Sequence, residues 1–268
     1  MDGWTQVKPY AVDIHSGDLG WHLRFPDERL DGAVLCWDDG GAPVAVGLRD
    51  AGMLQLAVAP GWSGSGALAD AVADLVTPTD SGTDHVEAAS ESALRALLLD
   101  RGWRSDPHPW VLLHKALGPE DAAVEDPGTR PLAGPADVEA RVAVQRSAFA
   151  PGSTFTPDLW ARMAEGPSYD ARFELVTWTP DGRPAAAATG WFAGPGRCAI
   201  LEPVGTHADH RRQGYGRRVN LAVMAALARA GASAVRVHTP ASNTAAVAAY
   251  EACGLRQADW TTAVTRAG

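Results

Sequence analysis

The feature that most constrains this chain is a pattern that occurs twice. Leu54-Gln55-Leu56-Ala57-Val58 leads into Pro60-Gly61-Trp62-Ser63-Gly64-Ser65-Gly66 and a helical run from Ala67 to Val76. Much later, Ala199-Ile200-Leu201-Glu202-Pro203-Val204 leads into His210-Arg211-Arg212-Gln213-Gly214-Tyr215-Gly216 and a helical run from Arg217 to Ala230. Each is a strand, a Gly-x-Gly turn and a helix. Gly64 and Gly214 stand 150 residues apart, while Gly102 and Gly254, each closing a later Ala-rich helix, stand 152 apart. Two landmarks keeping nearly one offset point to a duplicated unit. The stretch from Gly118 to Pro131 is acidic, Pro/Gly-bounded and poor in large apolar residues, which predicts a linker at 119–130. Two domains follow, 1–118 and 131–268.

Composition sets limits on both. With 46% hydrophobic and 21% charged residues, the 268-residue chain holds enough apolar matter for real cores, so disorder throughout is excluded. A net charge of −9 argues against a general nucleic-acid binder, which needs a basic face. Cys36, Cys198 and Cys253 are odd in number and far apart, suggesting neither zinc site nor disulfide framework. Met1 to Lys8 lacks a signal peptide's apolar core, and no run approaches 18 apolar residues, so a cytoplasmic chain with no membrane partner is expected.

In the second half, Pro135 to Phe149 and Thr156 to Glu165 read as helices, the latter with Thr156 as N-cap and Pro157 in its first turn. Phe173 to Trp178 and Ala185 to Phe192 form a hairpin about Pro180-Asp181-Gly182, and Cys198 to Thr206 is the next strand. The helix from Arg217 ends at Gly231, Ala234 to His238 is β-rich, and Ser242 or Asn243 caps a last helix ending at Gly254. Antiparallel strands followed by strand–helix–strand–helix predict a mixed α/β sheet.

Gly214-Tyr215-Gly216 carries the chemistry. Glycines let the backbone approach a ligand closely, and the N–H groups and dipole at a helix N-terminus form an anion site. Arg211, Arg212, Arg217 and Arg218 would add charge-assisted hydrogen bonds to phosphate. The Gly-Lys-Ser/Thr of a Walker A loop is absent; Val219 stands where a dinucleotide fingerprint needs its third glycine.

The order strand, Arg-Arg-Gln-Gly-Tyr-Gly, helix, strand, Asn cap, helix with Ala246 and Tyr250, then Gly254-Leu255 resembles the GNAT superfamily of acyl-CoA N-acyltransferases. It is carried by Glu202 to Gly216 with Asn243, Ala246, Tyr250 and Gly254, and covers about 131–268; the first half resembles the same fold faintly. The resemblance implies two tandem domains, each a mixed, mostly antiparallel sheet flanked by helices, arranged as in mycothiol synthase. It implies acetyl-CoA as cosubstrate and no metal. Its pyrophosphate would lie on Arg211, Arg212, Gln213, Gly214, Tyr215 and Gly216, with Arg217 opening the helix; its pantetheine would pair with Val204, Gly205 and Thr206 and touch Asn243. The acceptor would be a small-molecule or peptide amine, with the protein a monomer or homodimer.

Acetyl transfer from a thioester needs a proton taken from the ammonium and one given to the thiolate. By resemblance Tyr250 is the acid. Glu202 is the candidate base, on the same strand face as Ile200, where several relatives carry their carboxylate. His207, Asp209, His210 and His238 are its rivals. Phe155, Trp160, Tyr169, Trp191 and Phe192 are candidate acceptor walls, since aromatic faces attract ammonium groups. The first half has Trp62-Ser63 in place of the loop's Arg-Gln, Leu98 at the register of Tyr250, and a short segment before its strands in place of paired helices. A non-catalytic, substrate-shaping half is therefore expected. The alternatives are an acyl-CoA-binding sensor without turnover and a nucleic-acid module built on the arginine cluster.

Overall fold

A computed structural model describes residues 14–267; the stretch Met1–Lys8 lies outside them. In chain order the first half gives α1 (Ser16–His22), α2 (Asp27–Leu30), β1 (Val34–Asp39), β2 (Ala42–Asp50), β3 (Met53–Val58), α3 (Gly66–Val76), β4 (His85–Val86), α4 (Ala93–Asp100), β5 (Arg104–Ser105) and β6 (Trp110–Ala116). Then follow α5 (Pro119–Ala122), β7 (Thr129–Pro131), α6 (Pro135–Ala148), α7 (Pro157–Ala164), β8 (Glu174–Trp178), β9 (Pro184–Trp191) and β10 (Cys198–Thr206). The chain closes with α8 (Tyr215–Arg229), β11 (Ala234–Pro240), α9 (Thr244–Glu251), β12 (Arg256–Thr261) and β13 (Val264–Thr265). Local rules explain the ends. Thr156 Oγ1 accepts from Leu159 N at 3.3 Å, and Gly231, at φ +92°, takes the left-handed conformation that lets the chain leave α8.

Two mixed sheets result, flanked by helices, as the fold class required. Their strand orders are β1-β2-β3-β4-β13-β5 and β12-β6-β11-β10-β9-β8-β7. The halves have traded strands. β6, from before the expected linker, lies between β11 and β12 of the second sheet, paired with β11 from Trp110↔Pro240 to Ala116↔Ala234. In return β13, at the chain's end, lies between β4 and β5 of the first sheet. The boundary expected at 119–130 thus divides the sequence but not the sheets. That segment is also structured: Arg218 forks onto Asp126 at 2.7 and 2.9 Å, and Arg229 donates to Ala122 O at 2.8 Å, fastening it along α8.

Period-two alternation assigns the faces of the second sheet. Ala186, Ala188, Leu201, Val235 and Val237 pack with Val219 and Val223 of α8. Ala187 and Val176 turn the other way, onto Val144 of α6. Burying this apolar surface stabilises the fold by roughly 25 cal/mol per Å². The first half does begin with helices, short as its segment is. The glycines of α1 let it lie on the indole of Trp191, inside which a Cβ at Gly17 or Gly20 would fall. His15 Nε2 also meets Cys198 O at 3.1 Å, and Trp21 stacks on Phe155 at 5.4 Å.

Candidate functional site

β10 and β11 run parallel for three residue pairs only, Cys198↔Ala234 to Ile200↔Arg236, and then diverge. Beyond Ile200, β10 keeps its antiparallel pairing with β9 through Val204, Gly205 and Thr206. Its other edge makes no ladder with β11 there. Gly205 is required here by close approach, since an added Cβ would stand 2.7 Å from Ala148 Cβ.

The open edge runs into the loop Arg211–Gly216. Arg211, Arg212, Gln213 and Gly214 are exposed. Gly214 sits at φ +85° as N-cap of α8, with no side chain capping the helix, so its first N–H groups remain for an anion. The corresponding turn of the first half differs: Ser65 Oγ accepts from Leu68 N at 3.3 Å and satisfies part of the N-terminus of α3. The arginines divide by role. Arg218 is bound to Asp126, Arg217 Nε donates to Ala252 O at 3.0 Å, and Arg211 donates to Ala148 O at 3.0 Å. Asn243 caps α9, its Oδ1 accepting from Ala246 N at 3.2 Å.

Tyr250 is buried on α9, at 7% exposure, and its hydroxyl has no hydrogen-bond partner among the described residues. Burial, then the charge of Glu202, push its phenol up, so it is a protonated donor at neutral pH. Glu202 follows Leu201, where the register of β10 against β9 shifts, and its carbonyl accepts from Trp191 Nε1 at 2.6 Å. Burial pushes its carboxyl up to about 8; Asp18, Asp50 and Glu87 push the same way and Arg24 opposes them. All four belong to the first half, and a reading confined to 131–268 missed them. Asp18 and Arg24 belong to the charged stretch in and after α1, while Asp50 and Glu87 stand apart from it in sequence.

The rival bases have other surroundings. His207 Nδ1 accepts from Asp209 N at 3.3 Å, and His210 is buried against Tyr215, ring centres 5.8 Å apart. Burial and the charge of Arg236 pull His238 down to about 4. Among the described residues no group of three His, Cys, Asp or Glu could hold a metal, and no helix is long and apolar enough to cross a membrane.

Three of the candidate aromatic residues stand together. Trp160 meets Tyr169 edge-on at 6.1 Å, and Tyr169 meets Trp191 at 6.4 Å. Trp191 packs with Ile200, one residue from Leu201 and two from Glu202. Behind them Glu174, fully buried, pairs with Arg141 and accepts from Trp160 Nε1 at 2.9 Å. Phe155 lies against Trp21, while Phe192 turns to Phe173 and the α8 core.

Comparison with known proteins agrees with this geometry. The Acetyltransferase (GNAT) family matches residues 144–255. A mycothiol acetyltransferase of Arthrobacter sp. (strain FB24) is 31% identical over 270 residues, spanning 92% of this chain and 82% of its own length. Among solved structures, a GCN5-related N-acetyltransferase from Sphaerobacter thermophilus shares the fold at TM-score 0.62 and 21% identity, covering 84% of this chain and 77% of that one. A tandem GNAT protein from the clavulanic acid biosynthesis pathway does so at TM-score 0.59 and 18% identity, covering 96% and 89%. The chain belongs to the GNAT family and is an N-acetyltransferase.

Proposed function

We propose that this enzyme moves an acetyl group from acetyl-CoA directly to a primary amine, of a small molecule or a peptide, held between the two halves. The observation that carries this is the edge of β10 left unpaired where β11 diverges, leading on to the N-terminus of α8 at Gly214, which no side chain caps. The cofactor's pantetheine would extend the open edge at Val204, Gly205 and Thr206, with its pyrophosphate on the N–H groups from Arg211 to Gly216. Arg212 and Arg217 are the nearest cations for it, and Asn243 offers its free amide N–H. Ionised Glu202 takes the ammonium proton, the freed nitrogen attacks the thioester carbon, and the C–S bond breaks. The thiolate leaves with the proton of Tyr250. Trp160, Tyr169, Trp191 and Phe155 would wall the acceptor, and the first half, lacking a tyrosine at Leu98, would shape it.

The test is release of CoA thiol from acetyl-CoA against an amine panel that includes mycothiol-type acceptors, after the relative's name. Amine-dependent release with N-acetylated product is the expected result. Tight acetyl-CoA binding without release for any amine would instead make the protein a sensor.

A further inference from the structure

Behind the aromatic residues lies a charged pair that the transfer chemistry does not use. Arg141 of α6 and Glu174 of β8 are 1% and 0% exposed and joined by an ion pair. All three nitrogens of the guanidinium are engaged. Nε donates to Glu174 Oε1, Nη1 to Gln145 Oε1 at 2.9 Å and Nη2 to Thr189 Oγ1 at 3.2 Å. Thr189, opposite Glu174 in the register of β8 and β9, donates to the same Oε1 at 3.2 Å. One carboxylate oxygen is thus held from two sides, and the other, Oε2, accepts the indole N–H of Trp160 at 2.9 Å.

Stability alone is a poor account of this pair. Desolvating two charges can cost more than their attraction returns, and packed apolar side chains of the same volume would hold α6 to the sheet as well. What an apolar filler cannot supply is an oxygen fixed in place to receive an indole N–H. Trp160 has use for one: it sits on α7, a helix of eight residues of which only Met163 is buried. From Trp160 the contacts run on toward the reacting centre. Its ring meets Tyr169 edge-on at 6.1 Å, Tyr169 meets Trp191 at 6.4 Å, and Trp191 donates to the Glu202 carbonyl at 2.6 Å. Burial, then the charge of Glu174, push the Tyr169 phenol up, so this ring stays protonated. Resting on the reading of these rings as the acceptor wall, we propose that Glu174 is a positioning residue for the amine acceptor. Clamped by Arg141, it holds the Trp160 indole against Tyr169 and Trp191, and so fixes the space beside Glu202 in which the acceptor is oriented.

Paired replacements separate this from a structural role, using the amine that releases CoA fastest from the full chain. Arg141→Met with Glu174→Met removes both charges and the oxygen that receives Trp160. Arg141→Met with Glu174→Gln removes both charges and keeps such an oxygen. The first pair is expected to raise the amine KM about tenfold, with kcat within about threefold and acetyl-CoA affinity unchanged. The second should bring KM back to within about threefold of the unaltered protein's. In protein labelled with fluorotryptophan, the fluorine line of Trp160, identified by its loss in Trp160→Phe, should shift or broaden with the Met pair and return with the Gln pair. If the Met pair does not fold, Trp160→Phe removes the same bond from the other side and should raise KM alike. Equal KM values in the two pairs, a Trp160 line that does not move, or a normal KM in Trp160→Phe would each overturn the proposal. Release of CoA from the unaltered protein by no amine would sink the transfer reading and the acceptor role with it, a result distinct from those three.

Discussion

Trp191 Nε1 donates a 2.6 Å hydrogen bond to the carbonyl oxygen of Glu202, tying the aromatic wall to the candidate base across neighbouring strands. Trp191→Phe keeps an aromatic ring and removes that bond. We expect stability to fall by about 1 kcal/mol and kcat/KM for the amine by roughly tenfold, with acetyl-CoA affinity unchanged. Steady-state kinetics beside a melting curve check this, and full kcat/KM would show that the bond does not position Glu202.

The same indole holds α1. Gly17→Ala puts a methyl group inside the ring's position, so either the helix or the indole must move. Overpacking of this kind costs about 1–3 kcal/mol. The expected result is a lower Tm together with a raised KM for the amine, while acetyl-CoA binding is spared. A normal amine KM would mean that α1 does not line the acceptor site.

Tyr250→Phe removes only a hydroxyl. If Tyr250 protonates the thiolate, kcat should drop by roughly 10²–10⁴, with acetyl-CoA affinity nearly constant. Structural packing alone predicts intact turnover, and finding it would refute the assignment.

The loops of the two halves should respond differently. A Cβ at Gly216 stands 2.8 Å from Thr206 Oγ1 and beside the expected pyrophosphate, whereas one at Gly66 meets nothing within 4 Å. Gly216→Val is expected to weaken acetyl-CoA binding by more than about tenfold, and Gly66→Val to change it little. Equal impairment in calorimetry would place a second functional site in the first half.

Activity and stability should run oppositely with pH. Glu202 works as a base only when ionised, so kcat/KM should climb through about pH 8. The folded carboxyl lies above its ordinary value and binds a proton that the unfolded chain has lost. Stability without ligand should therefore decline as pH rises from about the usual carboxylate range toward pH 8. Glu202→Gln should flatten both profiles; Tm and rate curves that keep their shape would show another group titrating.

Much of the second half was legible because its signals are local. Thr156, Asn243 and Gly231 mark helix ends through the bonds and φ values of their own neighbourhoods, and the motif singles out Tyr250 and Glu202 as candidates. What stayed hidden acts at long range. The pattern of β6 says strand but not which sheet, and its partners begin at Ala234 and Arg256, more than a hundred residues on. Asp18, Arg24 and Glu87 carry no motif. Their role depends on α1 reaching a sheet built from the other half.

The traded strands also govern when this protein can become itself. During synthesis from the N-terminus, the first sheet lacks the strand between β4 and β5 until Val264 and Thr265 are made, while β6 must wait for β11 and β12. Early residues are committed to partners not yet translated, so the usual order of finishing one domain before the next is closed to this chain. Nor can either half be exchanged as a cassette with a relative's: a recombination at the linker would leave one strand of each sheet among foreign partners.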